Sequence, residues 1–276
     1  MENTRICFIG CGNMGTSLIG GLLANGFSRD LICGADPDSR QRDKLKETFQ
    51  LEIYDNNKEA LDRAEVVVLA VKPQVMCHTL TGIADTLADR AVLIMSIAAG
   101  IRTSSITKWL AFTHPVVRAM PNTPALIKAG VTALYANSTV SNSQKELAES
   151  IMRSVGTVLW VDKEASMDAV TAVSGSGPAY FFMLMEVLEK AAGKLDLSPD
   201  QARLLVMETA LGAAKMAVES GYDAATLRRQ VTSPGGTTEA ALETLTRGNI
   251  EELFLRAVSA ARDRSVELAD TLGGDS

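Results

Sequence analysis

Short apolar runs alternate with polar or amphipathic stretches along the chain as far as Asp162. Apolar runs of about four to eight residues, bounded by glycine, proline and polar residues, are typical of strands covered on both faces of a sheet. They predict strands at 5–9, 31–35, 51–54, 64–71, 91–97, 116–120, 131–135 and 158–161. Helices are predicted at 17–25, 38–50 and 141–155, and another begins at Asn56 and Asn57. This alternation predicts an α/β fold with a Rossmann-like, doubly wound sheet.

The pattern changes at Lys163, after which the periodicity is helical and no strand is indicated. The sequence therefore predicts two domains, a dinucleotide-binding (Rossmann-like) domain over 1–162 and an all-helical domain over 163–276.

A glycine motif joins the first predicted strand to the first predicted helix. Gly10-Cys11-Gly12-Asn13-Met14-Gly15 has the G-x-G-x-x-G spacing of a dinucleotide-binding turn. Gly10 allows a tight turn, Gly12 lets the backbone approach a pyrophosphate, and Gly15 lets the helix pack closely on the strand. Amides at the helix N-terminus then face the anion. The alternative is an ordinary strand, turn and helix with a flexible loop.

Asp36 ends the second predicted strand, twenty-one residues after Gly15. An acidic residue at this place can bind the ribose 2′-OH of a dinucleotide. An acid next to Pro37 can also be a plain turn residue.

Ligands in doubly wound sheets lie outside the carboxyl ends of the strands. Segments 10–15, 70–73 and 96–100 follow such ends, so they are expected to line one crevice. Lys72 lies at one of these ends and could meet a phosphate or a substrate carboxylate, or could simply be solvated.

Two helical segments of the second half are apolar around most of their circumference. Segment 178–185 carries no charge, and in 203–219 the polar residues fall on one narrow stripe. Such helices must be buried, and about 110 residues cannot easily cover both, which predicts a subunit interface. The Met and Phe residues of 181–185 are better interpreted as core than as a cofactor site. Apolar positions over 250–261 predict an amphipathic terminal helix that packs on its own domain or on another subunit.

Segment 231–238 does not resemble core. Its sequence, VTSPGGTT, places a proline and a glycine pair among four hydroxyl residues just before a helix predicted to start near Glu239. Such a loop presents backbone amides and hydroxyls together, which suits a carboxylate ligand. A plain helix N-cap is the alternative, although one cap needs only one hydroxyl.

The composition of the chain argues against several classes of binding site and location. The net charge of −6 and the scattered Lys and Arg residues argue against nucleic-acid binding. Four cysteines without a C-x-x-C pair and two histidines predict no metal site. No apolar run approaches the roughly 18 residues of a membrane span, and residues 1–5 show no signal-peptide core. A reducing, cytoplasmic location is expected.

The sequence resembles the pyrroline-5-carboxylate reductase family over essentially its whole length. The matching segments are FIGCGNMG at 8–15, AVKPQ at 70–74, SIAAG at 96–100, RAMPNTPA at 118–125, SGSGPAY at 174–180 and SPGGTT at 233–238. The resemblance implies reduction of 1-pyrroline-5-carboxylate to L-proline with NADPH or NADH, the last step of proline biosynthesis. It also implies a helical dimerisation domain and a homodimer that can assemble further into a homodecamer.

The resemblance also implies roles for single residues. Cofactor contacts are implied at the following positions: Gly10, Cys11, Gly12, Asn13, Met14, Gly15, Asn57, Ala70, Val71, Lys72, Pro73, Ala98 and Pro178. Substrate contacts are implied at Ser233, Gly236, Thr237 and Thr238, with Thr238 at the imine nitrogen as the catalytic residue. Asp36 departs from the family, whose members often carry Ser or Thr there and commonly use NADPH.

Two rival functions are compatible with parts of the sequence. A β-hydroxyacid dehydrogenase has a similar architecture but needs a lysine as general acid and base, and this chain carries Phe181 at that place. A non-catalytic NADPH sensor would keep the 10–15 turn but would not need the 233–238 loop.

Overall fold

The computed structural model describes residues 4–274, so the outer limits of the predicted domains, at residues 1 and 276, lie outside the described residues. The chain divides into two compact units. One holds the residues up to Ser176 and those from Ala261 onward, and the other is Gly177–Ala260. The predicted boundary after Asp162 lies earlier than this division, and no sequence pattern predicted that the end of the chain packs with the first unit.

An eight-stranded sheet forms the centre of the first unit, in the order β3-β2-β1-β4-β5-β6-β7-β8. The strands are β1 (Ile6–Ile9), β2 (Ile32–Ala35), β3 (Glu52–Tyr54), β4 (Val66–Leu69), β5 (Leu93–Ser96), β6 (Val116–Met120), β7 (Gly130–Ala136) and β8 (Gly156–Trp160). Neighbouring strands from β3 to β6 are parallel. The predicted Rossmann-like, doubly wound α/β fold is confirmed.

The sheet departs from a fully parallel arrangement at β7. This strand pairs antiparallel with β6, and β8 is parallel to β7. The connection from β6 to β7 holds only a short 3₁₀ helix, Thr123–Ile127. A parallel crossover needs about a dozen residues or more, so this connection is too short and the chain turns back.

Helices cover the sheet on both sides. They are α1 (Asn13–Ala24), α2 (Ser39–Phe49), α3 (Asn57–Ala60), α4 (Met76–Leu87), α5 (Thr103–Leu110), α6 (Asn142–Arg153) and α7 (Ser166–Val170). Helix α1 begins at Asn13, inside the glycine motif and earlier than predicted, because Gly12 is its N-cap. Helices α4 and α5 were not predicted, since their sequences are rich in threonine, serine and glycine, which are weak helix formers.

Successive residues of each central strand enter different cores. Ile6 and Phe8 of β1 belong to one buried cluster, and Cys7 and Ile9 belong to another. A strand must be apolar on both faces for this arrangement. The continuous apolar runs in the sequence therefore reflect two cores, one on each face of the sheet.

The second unit contains only helices among its described residues, as the periodicity predicted. They are α8 (Gly177–Gly193), α9 (Pro199–Glu219), α10 (Ala224–Gln230), α11 (Thr237–Arg247) and the first part of α12 (Ile250–Gly273). Helix α8 packs against α9. Large apolar side chains nevertheless stay exposed on both: Phe181, Phe182, Met183, Leu184, Val187, Leu188, Leu204, Leu205, Met207, Leu211, Met216 and Val218. A single chain therefore does not supply the burial that these helices require.

The end of α12 packs within the first unit. The Ser265 hydroxyl donates to Asp168 Oδ1 at 2.7 Å, and both residues are buried. Arg102 and Asp270 form an ion pair at 2.7 Å. Leu272 packs against one of the two cores. By contrast, Leu253 and Phe254, from the predicted amphipathic stripe, are exposed in the single chain.

Candidate functional site

The glycine turn lies where the strand order reverses, between β1 and β4. Gly10 has φ +86°, and a Cβ there would lie 2.8 Å from the Ala70 carbonyl oxygen. A Cβ on Gly15 would lie 2.7 Å from the Gly10 carbonyl oxygen. Only glycine fits both positions, because backbone atoms of the neighbouring segments fill the space that a side chain would need.

Gly12 differs from Gly10 and Gly15 because no atom lies within 4 Å of the place where its Cβ would be. Gly12 and Asn13 are exposed, and Met14 packs partly against the core. The first amides of α1 have no partner within the helix. An open, side-chain-free surface with exposed amides at a helix N-terminus fits a pyrophosphate.

Cys11 contributes its backbone to this turn and its side chain to the core. The thiol is buried between Phe8 and Ala35, with Sγ 3.9 Å and 3.7 Å from their carbonyl oxygens. Burial, together with the charge of Asp36, raises the pKa of this thiol to about 12. The side chain of Cys11 therefore belongs to the core, and the role of this residue as a cofactor contact stays a prediction.

Asp36 links the glycine turn to the turn after β2. Its Oδ2 accepts the Cys11 amide at 2.8 Å, and its Oδ1 accepts the Asp38 amide at 2.9 Å. Arg42 donates to the carbonyl oxygens of Asp36 and Pro37, both at 2.9 Å. Asp36 is thus a turn residue and also lies beside the glycine turn, where a ribose would be recognised.

The other predicted cofactor residues follow strand ends at the same edge of the sheet. Ala70 to Pro73 follow β4, Ala98 follows β5, and Asn57 begins α3 after β3. Lys72 is exposed and has no ion-pair partner within residues 4–274. Its charge remains available to a ligand, and its role stays a prediction.

A buried ion pair lies at the start of α5. Arg118, on β6, has a side chain only 6% exposed and contacts Glu164 Oε1 at 2.9 Å. Glu164 also accepts the amide and hydroxyl of Thr103, at 2.7 and 2.9 Å, at the start of α5. Sequence reasoning missed this role. The signal was a single arginine within the otherwise apolar run of β6.

In the second unit, segment 233–238 forms a tight turn followed by a helix. The Gly236 amide donates to the Ser233 carbonyl at 3.0 Å, and Gly235 has φ +71°. Proline at the second position and a glycine with positive φ at the third identify a type II turn. The Gly235 amide is also bound, by Glu239 Oε2 at 2.6 Å.

The hydroxyls of this segment do not cap the helix. Helix α11 begins at Thr237, two residues earlier than predicted, with Gly236 as the N-cap and no side-chain cap. Among the described residues, the hydroxyls of Ser233, Thr237 and Thr238 make no hydrogen bond. Three hydroxyls and the first amides of α11 are thus available to a ligand.

The start of α8 lies where the sequence predicted it. Pro178 lies in the first turn of this helix, as predicted. Phe181, at the place where the rival β-hydroxyacid dehydrogenases need a lysine, is 65% exposed.

No three potential metal ligands come together anywhere between Thr4 and Gly274. Over the same stretch, every helix is too short or too polar to cross a membrane.

Family models match both halves of the chain. The model described as pyrroline-5-carboxylate reductase dimerisation matches residues 164–268. The model described as NADP oxidoreductase, coenzyme F420-dependent, matches residues 5–100. The two matches fall on the helical half and on the glycine-turn half, respectively.

Similar proteins match over almost the entire length. The pyrroline-5-carboxylate reductase of Pseudomonas aeruginosa is 50% identical over 99% of this chain and 100% of its own. A solved reductase from Coxiella burnetii has a TM-score of 0.93 at 45% identity, covering 97% of this chain and 99% of its own. A Plasmodium falciparum enzyme solved with NADP bound has a TM-score of 0.86 at 30% identity, covering 98% and 100%. On these matches the chain belongs to the pyrroline-5-carboxylate reductase family.

Proposed function

We propose that this chain reduces 1-pyrroline-5-carboxylate to L-proline with NAD(P)H, holding the cofactor at the glycine turn and the substrate at the 233–238 turn. The observation that carries the substrate assignment is the set of unpartnered hydroxyls beside the first amides of α11. A helix N-terminus favours an anion. The substrate carboxylate is the anion that this reaction provides.

The chemistry needs few protein groups. Reduction of a C=N bond adds a hydride to carbon and a proton to nitrogen, and the reduced nicotinamide supplies the hydride when bound. The chain must hold the carboxylate, orient the ring and keep a hydrogen-bonding group at the nitrogen. Ser233, Gly236 and Thr237 are proposed for the carboxylate and Thr238 for the nitrogen.

A direct assay tests this assignment. The purified chain should oxidise NADPH and NADH in the presence of 1-pyrroline-5-carboxylate, measured by the fall in absorbance of the reduced nicotinamide, and proline should form in equal amount. Oxidation of neither cofactor with this substrate would refute the proposed function. A β-hydroxy acid with the oxidised cofactors serves as the control substrate, and no turnover is expected.

Asp36 is proposed to favour NADH over NADPH. Like charges about 4 Å apart repel by up to about 4 kcal/mol at an effective dielectric near 20. Asp36 is half-buried and its carboxylate is bound by two amides, so it cannot easily turn away from a 2′-phosphate. The neighbouring Arg42 offsets part of the repulsion. We expect the Asp36→Ser variant to raise the NADPH-to-NADH ratio of kcat/KM by about 10- to 100-fold, equivalent to about 1.4–2.7 kcal/mol.

The matched control is Asp38→Ser, which removes an acid from the same turn and keeps a residue that caps α2 well. Its ratio should stay near that of the wild type. An unchanged ratio in Asp36→Ser would show that residue 36 does not face the ribose.

Family membership establishes an oligomerising protein, and we propose a homodimer that can assemble into a homodecamer. The exposed apolar surfaces of α8 and α9 support the dimer. A cytoplasmic location is proposed as well, and the four free cysteines are consistent with a reducing compartment.

Sedimentation tests the dimer. At micromolar concentration the wild type should sediment as a dimer or larger, while Met207→Glu should shift toward the monomer because it places a charge among the exposed apolar side chains of α9. Lys215→Glu, on the polar stripe of the same helix, should leave the mass unchanged. A monomeric wild type would contradict the proposal.

A further inference from the structure

Three side chains hold the backbone of Cys11. Asp36 accepts its amide at 2.8 Å, and the Thr16 hydroxyl donates to its carbonyl at 2.8 Å. Gln41 Nε2, from α2, donates to the same carbonyl and also to Thr16 Oγ1 at 3.0 Å. Gln41 is therefore the residue that connects α2 to the glycine turn and to the first helix at once.

The carbonyl of Cys11 and the amide of Gly12 belong to one peptide group. That group is planar and trans, so its C=O and N–H point in opposite directions. With the carbonyl fixed toward Thr16 and Gln41, the Gly12 amide is directed away from them. Gly12 is exposed, no described residue accepts its amide, and open space lies where a side chain would be.

The amide of Cys11 cannot serve a ligand in the same way, since Asp36 already accepts it. The three side chains that bind the Cys11 backbone thus give two neighbouring amides different roles. The Cys11 amide is bonded within the fold, and the Gly12 amide points outward. We propose that Gln41 is a positioning residue of the cofactor site, which aims the Gly12 amide at the pyrophosphate without touching the cofactor. This inference rests on the proposed function only in taking a dinucleotide as the ligand of this turn.

Loss of a residue that positions the Gly12 amide should weaken the binding of NADH and NADPH by the same factor, because both share the pyrophosphate and differ only at the ribose 2′ position. A residue that read the ribose would instead change the ratio between them. A residue that merely stabilised the fold would change neither affinity. These three patterns distinguish a positioning role from the alternatives.

The test measures dissociation constants of NADH and NADPH by nucleotide fluorescence, with no substrate present, for Gln41→Leu. Leucine has a similar size but cannot donate a hydrogen bond. Both constants should rise by the same factor of about 3- to 12-fold, the scale of one net hydrogen bond. Their ratio should stay that of the wild type, whereas Asp36→Ser should change it. At saturating cofactor, kcat should remain within about twofold.

Gln144→Leu is the matched control. It also removes a Gln side-chain bond to a backbone group in the same unit, to the Ser141 amide at 2.9 Å, but far along the chain from the turn. We expect this control to lower the melting temperature and leave both dissociation constants unchanged. If Gln41→Leu behaved like the control, with constants within twofold of the wild type, the positioning role would be overturned.

Thr16→Val is the second variant should Gln41→Leu fail to fold, and it carries the same expectation because it removes the other donor to the Cys11 carbonyl. The binding readout also separates this inference from the proposed function. A wild type that binds both dinucleotides but does not reduce 1-pyrroline-5-carboxylate would refute the proposed reaction. The dissociation constants of the Gln41→Leu variant would still decide the role of Gln41. A wild type that binds neither would overturn both.

Discussion

The Glu164→Ala variant is expected to melt about 6–20 °C below the wild type. This substitution removes the carboxylate that pairs with Arg118. The charged guanidinium of Arg118, whose side chain is only 6% exposed, is then left without a partner. Breaking a buried pair by removing one partner costs about 3–5 kcal/mol, and each kcal/mol lowers the melting temperature of a unit of this size by about 2–4 °C. Thr103 also loses the acceptor for its amide and its hydroxyl at the start of α5. Calorimetry or circular dichroism at neutral pH measures the shift.

The two members of this pair should not be equivalent. The Glu164 side chain is 23% exposed and can reach water, so Arg118→Met should cost less than Glu164→Ala. Replacing both, as Arg118→Met with Glu164→Leu, should recover part of the loss because no unpaired charge remains.

An exposed ion pair provides the control. Arg153→Met breaks the contact with Glu149, in which the Arg153 side chain is 58% exposed. Exposed pairs contribute about 1 kcal/mol at most, so a shift of only a few degrees is expected. If Glu164→Ala melted at the same temperature as this control, the buried pair would not stabilise the fold more than an exposed pair does.

The parts of the fold that sequence reasoning found are those that depend on local pattern. The buried parallel strands appeared as apolar runs, and Gly10 and Gly15 were identified by their spacing between a predicted strand and a predicted helix. The structure adds the reason, since a Cβ at either position would meet backbone atoms. The helix of 203–219 was likewise found from its periodicity, together with its need for a partner surface.

The parts that were missed depend on contacts between residues distant in sequence. Glu164 caps α5 from 61 residues away, and Ser265 meets Asp168 from 97 residues away. No periodicity or spacing encodes such pairs. Helices α4 and α5 were missed for a related reason, since their burial against the sheet outweighs their weak intrinsic propensity.

Asp36 shows that two interpretations of one residue need not be alternatives. The sequence offered a choice between a turn residue and a ribose contact. In the structure the carboxylate accepts amides from its own turn and from Cys11. The same group therefore holds the turn, its contact with a ribose stays a prediction, and neither interpretation excludes the other.

The largest kinetic effect is expected from Thr238→Ala, which should lower kcat and kcat/KM by comparable factors of about 100-fold. Thr238 lies in the first turn of α11, and its hydroxyl has no partner among the described residues. A hydroxyl of this kind is too weak an acid to protonate an amine by itself, so we expect it to orient the imine nitrogen or to relay a proton from water. Positioned proton transfer contributes about 10²–10⁴-fold, and a single hydrogen bond should supply the lower end. Steady-state rates at saturating NADH and NADPH measure both constants.

Comparison with two further variants assigns the effect. Ser233→Ala removes a proposed carboxylate contact and should raise KM with little change in kcat, the pattern of an interaction equally strong in substrate and transition state. Thr238→Ser keeps the hydroxyl and should recover most of the rate. Folding is not the cause of the expected loss, because alanine suits a helix and no described hydrogen bond of the Thr238 hydroxyl is removed. If Thr238→Ala raised KM and left kcat intact, Thr238 would be a substrate contact only, and the proton would have to come from solvent or from an imine that is already protonated when it binds.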